Sequence, residues 1–412
     1  MKILFITQWF QPEPYYKGMP FIKKLIERGH KVQVLTGFPN YPEGKVYKGY
    51  TIRGFQKELM DGVEVFRVPL YPSHDSSPVR RIANYLSFAF SASIIGPWVV
   101  KKPDIIYVYH PPPTTYLPAF FIKLFKRAPV VYDIQDFWPD TLAATGMFNN
   151  KIGLKLVDIY CRLFYKAADK IVVLSPGFKR KLIEKKVPAE KIEVIYNWFP
   201  NDRNTAVSKP DPQLAKKLGL ADRFNVLFAG NMGKAQKLET VLDAAKLLAD
   251  ANPEIQFIFI GGGVEVQNLK DCAVKMSLPN VLFLPRIPKS EIGQILAMAD
   301  VLLVHLKRDP LFEITIPSKI QAYLAIGKPV LAAVSGDAAT LVEKANCGLT
   351  CPPENVNEMV KAIQEFYSFS PQKLKKMGDS GRCYYIDNMS IEIGVSCFEK
   401  LFQKTTNILE ES

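Results

Sequence analysis

The chain has 412 residues, 48% hydrophobic and 23% charged; this is too long for one hydrophobic core, predicts two domains, and excludes a disordered or low-complexity chain. The formal charge of +13 lies wholly in residues 1–200, where 29 Lys and Arg face 16 Asp and Glu, while the remaining 24 basic and 24 acidic residues cancel. A basic half implies an anionic partner (phosphorylated substrate, membrane surface or nucleic acid), with a lysine-rich solubilising face as the bland alternative.

In chain order, residues 1–6 read as a first strand over 2–7 rather than as a secretory leader. Further strands are expected at 31–36, 63–68, 105–109, 130–133, 171–174 and 192–195, with helices at 18–28 and 152–168 among them. Residues 83–100 carry no charge and are flanked by Arg80-Arg81 and Lys101-Lys102. Asn84, three serines and Gly96-Pro97 favour a mostly buried helix that also touches a bilayer interface over a membrane span. Residues 201–222, rich in Pro, Asp, Lys and Asn, read as a linker.

A second alternation follows, with strands at 224–229, 256–260, 281–284, 301–305 and 330–333. Helices are expected at 240–251, 264–276, 290–298, 318–325 and 356–366, and the tail 390–409 reads as a final helix. Strand–helix alternation predicts parallel sheets covered on both faces, with ligand where strand C-termini meet a crevice between the domains. The expected division is 1–200, linker 201–222, 223–385, and a last helix in 386–412 packing back towards the N-terminal domain. Six cysteines (161, 272, 347, 351, 383 and 397) are scattered without paired clusters and the four histidines are dispersed, so reduced thiols and no metal are expected.

Three segments carry anion-binding chemistry. In Gly230-Asn231-Met232-Gly233-Lys234 a buried strand ends in two glycines, where a phosphate can approach the backbone and Lys234 and Lys237 supply mobile positive charge. Gly261-Gly262-Gly263 follows the next strand without forming a dinucleotide fingerprint. Pro317-Ser318-Lys319 suits a helix start whose N–H groups bind phosphate oxygens. Each turn alone has an ordinary reading as a tight turn or capped helix; three of them on the strand ends of one sheet point to a diphosphate site.

The ordered series Ile171–Ser175, Val194–Trp198, Phe228–Lys234, Ile260–Gly263, Phe283–Pro288, Ala299–Val301 and Ala325–Val330 resembles glycosyltransferase family 4, retaining enzymes of the GT-B fold, over nearly the whole chain. Within it the chain looks most like WbuB-type transferases of O-antigen and capsule assembly, N-acetylfucosaminyl transferases among them. The resemblance implies an α/β fold of two doubly wound Rossmann-like domains facing a central cleft. It also implies transfer of a sugar from a UDP-sugar to a lipid-diphosphate-linked saccharide, with no cofactor beyond the donor. The family has Arg and Lys where Asn231 and Gln236 stand, so the diphosphate cation is expected among Lys234, Lys237 and Lys319. The family's Glu-x7-Glu positions fall on Ile314 and Ala322, with Glu313 and Gln321 adjacent. Donor-binding residues carried over are Gly230, Asn231, Gly233, Lys234, Lys237, Gly262, Arg286, Ile287, Pro317, Ser318 and Lys319, with Arg286-Ile287 at the nucleobase.

On the acceptor side, Lys17-Gly18 matches the family's glycine-rich loop. Asp136 lies in the region of its His-Asp motif, where Gln135 replaces His. Asp136 is the expected catalytic base, and Glu13 and Asp140 are lesser candidates. The basic half then suits a polyprenyl-diphosphate-linked saccharide acceptor at an anionic membrane, with the protein cytoplasmic and peripheral on the inner face of the plasma membrane. A sugar-nucleotide epimerase of the same fold is the alternative. A nucleic-acid binder is disfavoured by the glycine-ended strands of the neutral half.

Overall fold

The structure is a computed structural model and describes the chain except residues 15–16, 75–76, 145–147, 149, 200–210, 289–290 and 411–412. It divides into two compact units, Met1–Tyr196 with Gly394–Ser412, and Asn197–Ile393.

The first unit is built on β1 (Lys2–Ile6), β2 (Lys31–Gly37), β3 (Gln56–Met60), β4 (Val63–Val68), β5 (Ile105–Tyr109), β6 (Val130–Ile134), β7 (Lys170–Val173) and β8 (Ile192–Val194). Their order is β3-β4-β2-β1-β5-β6-β7-β8. All pairs are parallel except β3–β4, a hairpin closed by Asp61-Gly62, both at positive φ. Because side chains alternate, the register puts Phe5 and Tyr107 on one face and Ile6, Leu35, Val108 and Tyr132 on the other.

The first face is covered by the helices Met19–Glu27 and Ile391–Glu410. Phe21, Tyr107 and Phe398 form a ring triangle with centroids 5.3–5.7 Å apart, and Phe402 adds a further contact to Tyr107 at 5.7 Å. Glu399 fixes the same contact through Arg28 (2.9 Å) and His30 (2.8 Å).

The second face carries the helices Pro78–Val99, Tyr116–Lys126 and Lys151–Ala167. Tyr132 meets Tyr116 at 5.0 Å and Tyr165 at 6.4 Å. At Gly96 a Cβ would lie 2.9 Å from Leu35 and 3.0 Å from Ile122, so glycine allows the first helix to sit close on the sheet and its neighbour. Phe88, Ala89 and Ala92 of that helix are buried, which makes it a layer of this unit, although its length and composition would allow a span. The expected mostly buried helix is corrected on its other side. Val79, Ile82, Leu86, Phe90, Ile94 and Trp98, spaced by three or four residues, are all exposed. The second helix likewise exposes Phe120, Phe121, Leu124 and Phe125, and the third exposes Ile152, Leu156, Ile159 and Leu163.

The second unit has six parallel strands, β9 (Phe224–Asn231), β10 (Ile255–Gly262), β11 (Val281–Leu284), β12 (Val301–His305), β13 (Val330–Ala333) and β14 (Gly348–Cys351), in the order β11-β10-β9-β12-β13-β14. Val226, Phe228, Phe257 and Phe259 pack on Leu242, Leu248, Met359 and Phe366 of the covering helices. Near-continuous apolar strands are what a sheet buried on both faces requires.

Most expected elements fall within two residues of those observed; the Pro78–Val99 helix starts five residues earlier than expected. The helices Tyr116–Lys126, Pro176–Glu184, Asp337–Lys344 and Pro371–Asn388, and the strands β3 and β14, are additional. Within the expected linker, 201–210 lie outside the described residues, and Pro212–Lys217 is a helix capped by the Asp211 side chain.

Because Phe398 closes the first face, Phe398→Ala is expected to cost about 3–5 kcal/mol. Urea unfolding followed by tryptophan fluorescence checks this.

Candidate functional site

In a doubly wound sheet, ligands bind beyond the strand C-termini where the strand order reverses. In the second unit that point lies between β9 and β12. β9 pairs with β10 through eight residues but with β12 only at Val226–Val301 and Leu227–Leu302. Beyond Leu227 the two strands part. The freed Ala229 N–H is taken by the Tyr323 hydroxyl (3.0 Å), from the helix Ser318–Ile326 that follows Pro317. One helical turn earlier on that helix, Lys319 lies over Gly230: a Cβ there would be 2.6 Å from its Cε.

Lys319 makes no hydrogen bond or ion pair among the described residues, and its Nζ sits 4.5 Å above the centre of the Phe228 ring. Burial lowers its pKa from 10.5 to about 8. An ammonium group held without a carboxylate, beside a helix N-terminus and an exposed glycine, is arranged to receive an anion.

The glycines have separable roles. Gly261, at φ 137, would place a Cβ 2.0 Å from the Gly230 carbonyl oxygen, so it is required by strand packing. A Cβ on Gly262 would meet nothing within 4 Å, leaving open space at the strand end. Asn231 is exposed and pairs with Gly262 across the strands.

After Gly233 a short turn, Lys234–Gln236, is held from below. The Gln236 side chain accepts from the Gly233 N–H (3.0 Å), and the Lys307 N–H donates to the Ala235 carbonyl (2.9 Å). His305, at the end of β12, accepts at Nε2 from the Glu354 N–H (3.2 Å), so its Nδ1–H donates to the Gln236 carbonyl (2.6 Å). Gln236 is thus spent on the backbone. Lys234 is exposed with no ion pair among the described residues, whereas Lys237 stands 4.0 Å from Glu239. Gln321 is also spent at the helix start, its amide nitrogen donating to Pro317 (2.9 Å) and Ser318 (3.0 Å) carbonyls in its satisfied orientation. Arg286 and Ile287 follow β11, two strands or about 10 Å from β9. The structure therefore gathers Gly230, Lys319 and Pro317–Ser318 at one strand end and leaves Arg286 and Ile287 beyond it.

In the first unit the order reverses between β1 and β5. Lys17, expected to contact an acceptor, is corrected: it is 1% exposed and its Nζ is 2.6 Å from Asp133 Oδ2. Asp133 also accepts from Tyr107 and from Gln135 (2.6 Å), so a saturated buried ion pair removes Lys17 from the surface. Gly18 is likewise buried under Gln11, whose side chain would be 2.6 Å from its Cβ. Glu13 ties two loops by accepting from the N–H groups of Phe10, Asn40 and Tyr41, and burial raises it to about 7.

Asp136 differs from these carboxylates. It is half-buried, has no side-chain hydrogen bond or ion pair among the described residues, and burial raises its pKa to about 6. His110, fully buried and lowered to about 3, supports the loop by accepting at Nδ1 from the Gln135 and Asp136 N–H groups (3.4 Å each). Tyr85, Trp138 and His110 form an edge-on aromatic row with 6.3 Å spacings beside it. Such a carboxylate can accept a proton near neutral pH. Among the described residues no group of three His, Cys, Asp or Glu is placed to hold a metal ion.

Sequence reasoning missed Tyr323, His305 and His110. Tyr323 lies four residues after Lys319, on the same helix face, and the two histidines end or immediately follow apolar strands where a sheet presents its ligand edge; those were the available signals.

Residues 20–198 match the family model "Glycosyl transferase 4-like domain" and residues 211–383 match "Glycosyl transferases group 1". The chain is 29% identical over 385 residues to a protein of Escherichia coli K12 provisionally named as the colanic acid biosynthesis glycosyl transferase WcaI, covering 89% of this chain and 92% of that one. It is 25% identical over 279 residues to WbjE of Pseudomonas aeruginosa, provisionally a glycosyltransferase, covering 66% and 68%. Anabaena HepE in complex with UDP superposes with a TM-score of 0.68 at 19% identity, over 98% of this chain and 100% of that one.

Asp133→Ala leaves Lys17 buried without its partner and is expected to cost about 3–5 kcal/mol, whereas Lys17→Met with Asp133→Leu restores most of it. Chemical denaturation of the three proteins checks the difference.

Proposed function

As the chain is a glycosyltransferase of the GT-B fold, with a glycosyl transferase 4-like first half and a group 1 second half, we propose that it transfers a sugar from a UDP-sugar to a lipid-diphosphate-linked saccharide during assembly of a bacterial surface polysaccharide. An N-acetylated deoxy sugar such as N-acetylfucosamine, moved with retention of anomeric configuration, is the finer reading. The observation that carries the proposal is Lys319, an ammonium group over Gly230 at the reversal point of the sheet, with no ion pair among the described residues. The colanic acid name of one relative and the UDP held by Anabaena HepE support the pathway class and the donor class.

In this reading the diphosphate lies on Gly230 and the N-terminus of the Ser318–Ile326 helix. Lys319 balances the charge that develops as the sugar leaves, and Lys234 adds a mobile cation at the rim. The gain is electrostatic: a cation already in place where negative charge grows needs no reorganisation during the reaction. The His305 bridge keeps the Lys234–Gln236 turn from moving away from that charge. Gly262 leaves room for the nucleoside to run towards Arg286 and Ile287. Asp136, ionised above pH about 6, takes the acceptor hydroxyl proton. The enzyme works on the cytoplasmic side, peripheral to the anionic inner face of the plasma membrane, where polyprenyl-linked acceptors lie.

Lys319 is protonated below about pH 8, so UDP affinity is expected to fall as pH rises through that value. Lys319→Ala should weaken UDP by about tenfold at neutral pH and flatten the dependence; calorimetric titration between neutral and alkaline pH checks both, and unchanged binding would remove Lys319 from the site. A UDP-sugar panel with a lipid-diphosphate-GlcNAc acceptor tests the reaction. Transfer from one donor to an α- or β-product matching that donor is expected, with kcat about 10²–10⁴-fold lower in Asp136→Asn. Absence of both transfer and UDP release across the panel would overturn the proposal.

A further inference from the structure

We propose that the outward face of the helices 78–99, 116–126 and 151–167 inserts into the headgroup–acyl boundary of an anionic bilayer, so that burial of apolar side chains, and not charge alone, holds the protein there. The inference rests on the membrane-linked acceptor proposed above for its purpose, but on separate observations for its content.

The exposed stripes of the first two helices meet, and the third helix sits beside the second through a buried contact. Trp98 of the first helix reaches Phe125 of the second (6.1 Å between ring centroids), and Tyr116 of the second packs on Phe164 of the third (4.6 Å). Each helix is therefore apolar on both sides, one against the sheet and one facing out. A single buried stripe suffices to attach a helix to a sheet. Soluble monomers rarely expose a contiguous apolar patch of more than a few hundred Å², and stripes on three neighbouring helices exceed what scattered surface leucines explain. Trp98, 78% exposed at the end of its stripe, has the amphipathic ring favoured at headgroup depth.

Charge selects the occupant. Residues 78–167 contain eleven Lys and Arg against five Asp and Glu, and one of those five, Asp133, is consumed by Lys17. Lys102, Arg127, Lys151 and Lys155 are exposed and in no ion pair among the described residues. A basic border around an apolar centre complements anionic lipid, where each basic side chain near the surface adds attraction. The same border disfavours a second copy of the chain, because like charges would be brought together. The 78–99 helix also carries Tyr85, one ring from Trp138 beside Asp136, so an inserted face brings the acceptor edge of this unit close to the lipid.

The test is sedimentation with phosphatidylcholine vesicles containing about 30 mol% phosphatidylglycerol, with no sugar substrate present. At low salt the protein should bind, and more than about half should stay bound at about 0.5 M NaCl, where surface charge is screened. Leu86→Ser/Phe90→Ser/Trp98→Ser should reduce partitioning at least about tenfold. The independent set Leu124→Ser/Leu156→Ser/Leu163→Ser should do the same, which guards against misfolding of either variant. Vesicles of brominated lipid should quench fluorescence in the wild type and much less in Trp98→Phe. Complete release by salt, or equal binding by both apolar variants, would overturn the proposal. So would a wild-type dimer by light scattering that both variants convert to monomer. Loss of sugar transfer with vesicle binding intact would count against the glycosyltransfer reading alone, and transfer to a soluble acceptor without vesicle binding would count against this one alone.

Discussion

The parting of β9 from β12 beyond Leu227 and Leu302 is the constraint on which the candidate site of the second unit depends. Two strands that diverge leave a backbone N–H without a ladder partner, and a buried unpaired N–H is costly. Tyr323 satisfies it, which fixes the rotation of the Ser318–Ile326 helix about its axis. With that rotation set, Lys319 has one place to go, over Gly230 and the Phe228 ring. The place proposed for the anion is thus a by-product of closing a gap in a sheet. Its amine comes from the start of the Ser318–Ile326 helix and not from the strand-end turn. On that turn Gln236 is part of the turn's own scaffold, held by the Gly233 N–H.

Much of this architecture was legible in the chain. Apolar runs ending in glycine, such as Phe224–Asn231 and Ile255–Gly262, mark parallel strands because both faces must be buried and the strand end must stay open. What could not be read was the direction of individual polar groups. Lys17 and Lys319 look alike as lysines near a predicted ligand edge. One is neutralised by a carboxylate 116 residues away and the other has no such partner among the described residues. Asp133 and Asp136 are three residues apart, yet the first points into the ion pair and the second lies beyond the strand with no ion pair among the described residues. Pairings over such separations are set by the sheet order, which local pattern does not carry. Helix Pro371–Asn388 escaped for the opposite reason. Its Gly378 and Gly381 lower intrinsic helicity, and they are there because Gly327 and Cys347 approach too closely for a side chain.

The same separation of demands explains the first unit. Its inner helix faces are chosen by the sheet, as at Gly96 against Leu35 and Ile122, and are ordinary for an α/β layer. Its outer helix faces are exposed and still apolar, which is the feature the proposed bilayer contact rests on. The second unit has no comparable surplus of charge.

The return of the last helix to the first unit has a consequence for synthesis. Met1 Sδ lies 3.9 Å from Thr406 Oγ1, so the start of β1 and the last helix lie side by side. During translation the ribosome emits β1 to β8 first, but Phe21 and Tyr107 stay uncovered until Phe398 and Phe402 emerge. The second unit, made in between and contiguous in sequence, can complete its own core earlier. The nascent protein therefore carries an open aromatic face for the whole time its second unit is being made. At the elongation rates of about 5–20 residues per second, that interval lasts on the order of ten seconds or more, a window in which a chaperone has something specific to hold.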